Sequence, residues 1–402
     1  MNIEAISSLA RYYGSFVSSD LAQIYLCHRS GKENTIEEHI QGAIQWICNA
    51  QDAFGDGGVA RSYSMIHNPY FKRRGWIPSY PETTGYIIPT MFEYAHRTGR
   101  QDIADRAIRM TEWECRVQME NGAVQGGTID QPPTPAIFNT GQVIFGWIRA
   151  FHGTKRQRYL DCAIKAARFL VAQQEEDGSW RKALSNYASS KMNFYTYNTR
   201  TAWALLELYN ETGIEEFKHS AVRNVEFALR QQIENGWFRS NCLNDPSQPL
   251  VHTIAYCVRG ILEIGVRLQN DHYLALAQKA ADALLIRRRP DGSLAGRFNE
   301  RWEATVTWRC LTGEAQMAGI WGRLYQLTGN YEYYEGLTTT AAALRRVQLL
   351  HTEHPGIYGG ISGAEPIHGQ YGQYEILNWA VKFFVDAQML EQSLAETMAR
   401  SS

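Results

Sequence analysis

One short turn, returning six times along the chain, limits what this sequence can fold into more than any other feature. QDAFGDGGVARSYS (Gln51 to Ser64), QMENGAVQGG (Gln118 to Gly127), QQEEDGSW (Gln173 to Trp180), QQIENGWFRS (Gln231 to Ser240), RRRPDGSLAGRF (Arg287 to Phe298) and HPGIYGGISG (His354 to Gly363) share one pattern. A polar residue leads into a glycine turn, and an apolar or aromatic residue often follows on what should be a solvated loop. Self-similarity at a spacing of roughly 55 to 65 residues marks a repeat protein, so the 402 residues are expected to form one domain, 1–402, with 1–30 as an N-terminal helical extension.

Between the turns the apolar spacing is helical and strand-like alternation is scarce. One set of segments is amphipathic, at roughly 35–50, 101–118, 156–174, 215–232, 271–287 and 330–347. YLDCAIKAARFLVAQQ (Tyr159 to Gln174) shows the apolar stripe, with Leu160, Ala163, Ala166, Ala167, Leu170 and Val171 on one face and charges between. These read as outer helices. The other set is apolar almost all round and rich in small residues: NTGQVIFGWIRAF (Asn139 to Phe151), NTRTAWALLELY (Asn198 to Tyr209), HTIAYCVRGILEIG (His252 to Gly265) and LTGEAQMAGIWGRLY (Leu311 to Tyr325). These read as buried helices. Thr84, Thr140, Thr199, Thr253 and Thr312 sit at the start of five of the six, where threonine is expected as an N-cap; the sixth, YEILNWAVKFF (Tyr374 to Phe384), lacks it. Six outer and six inner helices fit a closed double ring better than an open solenoid, an all-α fold of (α/α)6 type.

The Q-x-x-D-G-x-W turns and the long loops leading into inner helices resemble the six-hairpin (α/α) toroids. That shape is shared by carbohydrate-active enzymes (glucuronyl C5-epimerases, unsaturated glucuronyl hydrolases, some polysaccharide lyases) and by terpenoid cyclases with protein prenyltransferases. GWIPSYPETTGYIIPT (Gly75 to Thr90), HTIAY (His252 to Tyr256), LTGEAQMA (Leu311 to Ala318) and NWAVKFFVDA (Asn378 to Ala387) resemble toroid proteins encoded with bacterial exopolysaccharide biosynthesis. The resemblance implies a saccharide as substrate and leaves the reaction open.

In such a ring every loop after an outer helix opens at one mouth. The mouth loops are long and the returns HRTGRQD, NETGIE and LTGNYE are tight, which places the site among the long loops. Six converging helix N-termini favour an anionic ligand there. Arg61, Arg74, Arg200, Arg301 and Arg309 are candidates to grip a carboxylate, and Trp76, Trp302 and Tyr374 to carry a sugar face. Asn139, Asn198 and His368 are candidates for hydroxyl contacts. Candidate catalytic groups are His252, Glu314, Glu303, Glu82, Tyr197 and Tyr371, with Asp130 and His67 behind them. Trp180 and Trp237, inside their turns, read as clamps.

Composition removes several function classes. With 40 Lys plus Arg against 41 Asp plus Glu there is no global field for nucleic acid. Seven scattered cysteines without a CxxC pair read as buried free thiols in a reducing compartment, and no signal segment or 18-residue apolar run is seen, so a cytoplasmic protein is expected. HTEH (His351 to His354) has no further ligands in sequence, and no P-loop, GxGxxG, HExxH or GxSxG occurs; neither metal nor cofactor is expected. The leading expectation is a carbohydrate-active enzyme of polysaccharide metabolism that abstracts a proton from an anionic, uronate-containing glycan or oligosaccharide, as a C5-epimerase or lyase. The alternatives are a glycoside hydrolase pairing Glu303 with Glu314 or Asp130 with Glu82, a non-catalytic glycan-binding protein, and a terpenoid cyclase-like toroid. The last is disfavoured by the lack of D-x-D-D or D-D-x-x-D runs and by the arginines assigned to the mouth. Oligomeric state is left open.

Overall fold

A computed structural model of the chain describes residues 34–183 and 193–401. The expected extension at 1–30 lies outside the described residues. The described helices are α1 (Ile36–Asp52), α2 (Pro81–Thr98), α3 (Gln101–Val117), α4 (Ile137–Thr154), α5 (Gln157–Ala172), α6 (Thr199–Thr212), α7 (Glu215–Leu229), α8 (Val251–Leu268), α9 (Asp271–Leu285), α10 (Leu311–Thr328), α11 (Tyr331–Arg345) and α12 (Asn378–Ser401). Even-numbered helices form an inner ring: each packs on the next, and α12 closes on α2. Each outer helix packs on the inner helix preceding it, and α1 lies against α12, so the two ends of the described chain complete the sixth hairpin. The fold is the expected (α/α)6 toroid.

The returns from inner to outer helices are as tight as sequence implied. Gly99, Lys155, Gly213, Gln269 and Gly329 each end an inner helix with φ between 52° and 70°, the left-handed conformation that stops a helix and reverses the chain. Small residues let the inner helices approach closely. A Cβ on Gly146 of α4 would lie 2.3 Å from the Gly85 carbonyl oxygen of α2.

The recurrent turn fastens one repeat to the next. Gln118 Nε2 donates to the Gly122 carbonyl of its own turn and to the Cys162 carbonyl of α5. Gln51, Gln174 and Gln232 do the same, reaching Arg106 of α3, Ser220 of α7 and Leu276 of α9. In the fifth turn Arg288 reaches Glu335 and Thr339 of α11. Gln348 closes the ring on His39 of α1. Trp180 is buried beneath its turn, with Nε1 donating to the Leu170 carbonyl at 2.9 Å. Its place beside a polar turn is thereby explained.

Three expectations need correction. The threonines do not cap. The residues before α2, α4, α8 and α10 are Tyr80, Ala136, Leu250 and Cys310, which make no side-chain cap. Instead, backbone carbonyls of the following mouth loop take the first amides: Ile137 donates to Ala183, Val251 to Gly296 and Leu311 to Gly363. Thr84 and Thr140, one turn inside, accept from the Val59 and Val124 amides and hold the preceding turn in place, each at 2.9 Å.

The mouth also contains strands. β1 (Ala60–Asn68) pairs antiparallel with β2 (Arg73–Ser79) and on its other edge with β5 (Glu375–Leu377), tying the first mouth loop to the last; β3 (Arg309–Cys310) pairs with β4 (Ala364–Glu365). β1 is covered on both faces through its middle, so it shows no alternation to read. Lastly, the thiols are not all isolated: Cys115 of α3 and Cys162 of α5, both half-buried, bring their sulfurs to 3.3 Å. Among the described residues no helix is long and apolar enough to cross a membrane.

Candidate functional site

The starts of the inner helices converge on a cavity of about 280 Å³. It is lined by Glu82, Thr83 and Tyr86 of α2, Phe138 and Asn139 of α4, Tyr197 just before α6, His252, Thr253 and Tyr256 of α8, and Trp379 of α12. The mouth loops add Arg61, Tyr80, Leu243, Gln370, Tyr371 and Gly372. The tight crossing of α8 and α10 brings the start of α10 alongside, since a Cβ on Gly313 would meet the His252 amide at 2.6 Å.

Two proton-transfer groups face this space. Tyr80 donates its hydroxyl hydrogen to Glu82 Oε2 at 2.6 Å, and Asn139 Nδ2 donates to the Tyr80 oxygen at 3.2 Å. Enclosure by the aromatic walls outweighs this hydrogen bond and the Arg61 and Arg200 charges, and pushes the Glu82 carboxyl up to about 7. His252 Nδ1 meets Gln316 Oε1 at 2.7 Å. With that oxygen accepting, the ring proton sits on Nδ1, and Nε2 is left as an acceptor. Burial pulls the imidazole down to about 4, and the charge of Arg200 works in the same direction, so the ring is neutral through the physiological range.

The remaining wall is aromatic. The Tyr256 and Tyr371 rings lie 4.4 and 5.5 Å from His252, centroid to centroid. Tyr197 stacks on Tyr195 at 4.9 Å and meets Phe138 edge-on at 5.2 Å. Tyr371 accepts from Trp379 Nε1 at 2.8 Å. Burial raises the Tyr86, Tyr197, Tyr256 and Tyr371 hydroxyls well above the usual tyrosine range, so they stay protonated donors. Tyr86 and Tyr256 are near enough on the floor to affect each other's ionisation, yet neither hydroxyl makes a well-formed hydrogen bond to a described residue. Arg61 is the cation of the wall, but Glu375 is its direct ion-pair partner, and its guanidinium stacks on Trp379 and Phe71 at 4.9 and 5.0 Å.

Of the candidates from sequence, Glu82, His252, Tyr197, Tyr371, Arg61 and Asn139 line the cavity. The others lie elsewhere. Glu314 is fully buried, paired with Arg309 through two hydrogen bonds of 2.9 and 2.7 Å, and accepts the Leu294 amide; it fastens the fifth turn as Thr84 and Thr140 fasten theirs. Arg309 is therefore committed to Glu314, with Glu365 3.7 Å away. Trp302 is buried edge-on against Trp237 and donates to the Asn235 carbonyl, a clamp between turns, while its neighbours Arg301 and Glu303 are exposed on the loop. Arg74 donates to the Met65 carbonyl across the β1–β2 hairpin. Trp76 packs between Trp46 and Tyr63. Asn198 is buried at the start of α6, His368 is exposed, and Tyr374 sits at a turn with φ 58°. Arg200 lies under the floor, against the lower face of Tyr256 and Phe383. The strongly cationic mouth expected from sequence is thus dispersed, because most of its arginines hold loops together.

Sequence reasoning missed the floor. Tyr86 follows Glu82 by four residues and Tyr256 follows His252 by four, so each pair shares a helix face. Extending each candidate by one helical turn would have found both. Among the described residues no group of three His, Cys, Asp or Glu is arranged to hold a metal ion.

Comparison with known proteins agrees with the architecture. A family model described as the squalene-hopene cyclase C-terminal domain matches residues 78–262. No curated protein matches the sequence. Among solved structures, an unsaturated glucuronyl hydrolase specific for heparin superposes with a TM-score of 0.70 at 15% identity, covering 90% of this chain and 98% of that one. The unsaturated glucuronyl hydrolase of Bacillus sp. GL1, responsible for glycosaminoglycan degradation, gives 0.69 at 15% identity, covering 88% and 96%. The cellobiose 2-epimerase of Bacillus thermoamylovorans B4167 gives 0.65 at 12% identity, covering 86% and 95%. All three likenesses extend over nearly the whole chain, and at these identities what they establish is the toroid fold.

Proposed function

We propose that the protein is a carbohydrate-active enzyme that moves a proton on a saccharide held in the aromatic cavity, with Glu82 as the base and His252 as its neutral partner. The observation that carries this reading is Glu82 itself: a carboxyl enclosed among aromatic rings, oriented by Tyr80, with its affinity for a proton raised to about 7. A group with that affinity exchanges protons efficiently near neutrality. Among the described residues it is also the only carboxyl that lines the cavity. A hydrolase with two carboxyls flanking one bond has little support, since Glu303 and Asp130 are exposed and Glu314 is locked to Arg309. The volume suits a small oligosaccharide end, and the tyrosine hydroxyls with Asn139 suit its hydroxyl groups. A uronate carboxylate would find Arg61 as its one cationic contact, shared with Glu375.

The test is incubation in heavy water with a panel of uronate-containing and neutral oligosaccharides. Deuterium at C5 reports epimerisation, a new absorbing double bond a lyase, and new reducing ends a hydrolase. We expect deuterium incorporation or elimination, with kcat/KM rising through pH 7 and levelling above it, and a loss of at least ~10²-fold in Glu82→Gln. A rate that falls through pH 7 would assign Glu82 the acid's role instead. Undiminished turnover in Glu82→Gln would remove the proposal.

A second reading is favoured by the match at residues 78–262 and by the aromatic floor: cyclisation of an isoprenoid, with protonated Glu82 as the acid. Of the arginines that sequence placed against this chemistry, Arg61 alone lines the cavity, and it is paired with Glu375; Arg74, Arg200, Arg301 and Arg309 are outside it. Turnover of linear polyprenyl substrates, with every saccharide inert, would establish it over the first.

A further inference from the structure

A second cavity, of about 100 Å³, lies on the ring axis behind the floor, lined by Arg200 and Trp203 of α6, Arg259 of α8, Ala315, Gln316 and Gly319 of α10, and Lys382, Phe383 and Asp386 of α12. Phe383 on its wall meets Tyr256 of the first cavity at 6.0 Å, so the two spaces lie back to back. Gln316, on the wall of the second, hydrogen-bonds His252 on the wall of the first.

Its charges do not balance. Three cations line it against one carboxylate. Lys382 Nζ is 2.5 Å from Asp386 Oδ2, and Asp386 Oδ1 also accepts from Thr90. Arg259 pairs through Nη2 with Glu263 at 2.8 Å, but Glu263 is shared with Arg323, and Arg259 Nε is buried without a hydrogen-bond partner among the described residues. Among the described residues Arg200 has no carboxylate within ion-pair distance. It is 6% exposed, its Nε donates to Gln142 at 2.6 Å, and neither Nη makes a hydrogen bond to a described residue. Four aromatic rings surround its guanidinium at 5.1 to 5.6 Å. Such contacts return only part of what a charge loses on leaving water, and they leave the in-plane N–H groups unused. A buried fork of donors, two further cations and an axial void together define the partner that is missing: a small acceptor-rich anion.

We propose that this cavity is a binding site for a free oxyanion of phosphate or sulfate size, held by Arg200 with Lys382 and Arg259, and separate from the saccharide cavity. Its volume admits the bare ion. The site stands whatever reaction the first cavity performs.

Calorimetric titration of the full-length protein tests it, using sodium phosphate and sodium sulfate against sodium chloride at matched ionic strength, with glucose 6-phosphate as a fourth probe. The expected result is saturable one-to-one binding of phosphate and sulfate, at least tenfold weaker in Arg200→Met and in Lys382→Met, with glucose 6-phosphate bound more weakly than phosphate. Lys382→Met supplies the comparison if Arg200→Met does not fold. Responses to phosphate and sulfate no larger than to chloride would overturn the proposal. So would binding that survives unchanged in the variants that fold, or glucose 6-phosphate binding as tightly as phosphate.

Discussion

Substituting alanine for Gly178 and, separately, for Gly213 tests whether the recurrent turn holds the ring together through close contact between repeats. Both glycines have positive φ, +90° and +69°. An alanine with left-handed backbone loses about 1–2 kcal/mol at either site. Their surroundings differ. A Cβ at Gly213 meets nothing within 4 Å, whereas at Gly178 it would lie 2.2 Å from the Arg223 carbonyl oxygen of α7. The turn would have to withdraw by about 1 Å to reach ordinary contact distance. That movement strains three bonds that cross from this turn to the next repeat: Gln174 to the Ser220 carbonyl, Asn224 to the Gly178 carbonyl and Arg230 to the Asp177 carbonyl, each 2.9 Å. At about 0.5–1.5 kcal/mol apiece they bring the expected loss for Gly178→Ala to about 2.5–6.5 kcal/mol, against about 1–2 kcal/mol for Gly213→Ala. Urea unfolding followed by far-UV circular dichroism measures both. Equal midpoints for the two variants would show that backbone conformation alone explains the glycine, and that the turn is not a fastener.

Three further outcomes are expected. Glu314→Gln removes the counter-charge of buried Arg309 and should destabilise the fold by about 3 kcal/mol or more, while the activity of the folded fraction is unchanged; a catalytic role would reverse that pattern. His252→Gln should lower turnover by about 10²- to 10⁴-fold with little change in the unfolding midpoint, and normal turnover would remove His252 from the chemistry. Glu82 binds its proton more tightly in the folded chain, at about 7, than at its usual 4.5, so its contribution to stability is complete below pH 4.5 and is lost as pH rises to 7. Glu82→Gln should therefore be more stable than the parent above pH 7, by up to about 3 kcal/mol, and no more stable at pH 4; equal denaturation midpoints at pH 8 would contradict the raised affinity.

The helical ring was legible because it is written locally. The stripe of α5 and the apolar girth of α8 follow from periodicity, and the six turns from glycine and its neighbours. The site was legible mainly where it sits on helix starts, with Arg61 and Tyr371 found on the mouth loops. Glu82 and His252 could be placed because an inner helix fixes which way its first turn faces, whereas Trp302 is held by the preceding turn at Asn235 and Trp237 and its neighbour Arg301 is left exposed, which no local pattern reveals. The threonine error has the same origin. The sequence pattern reads Thr84 and Thr140 as caps, but the first amide of the Thr140 helix, Ile137, is taken by the Ala183 carbonyl of the next repeat and the Thr84 helix begins with Pro81, which has no amide, so both hydroxyls hold the turn before them. Charge misled for a related reason. A mouth rich in arginine looks cationic in sequence, yet Arg309 is spent on Glu314, Arg74 on a backbone carbonyl and Arg61 on Glu375.

The division of labour along each mouth loop also bears on the match to the cyclase domain. Residues 78–262 contain three of the six turns, including QQEEDGSW. Within that turn Gln174 bridges to α7, Asp177 accepts the Ser179 amide and hydroxyl, Gly178 allows the close approach and Trp180 clamps the end of α5. None of these side chains lines the cavity. Each of their tasks is required by any ring whose repeats must be fastened edge to edge, whatever its cavity holds. The cavity is lined instead by residues that follow, at the start of the next inner helix: Glu82, Asn139, Tyr197 and His252 differ from one repeat to another although they occupy related places. Likeness in the turns therefore speaks for a common way of closing the ring, while the reaction must be read from the four positions where the repeats diverge.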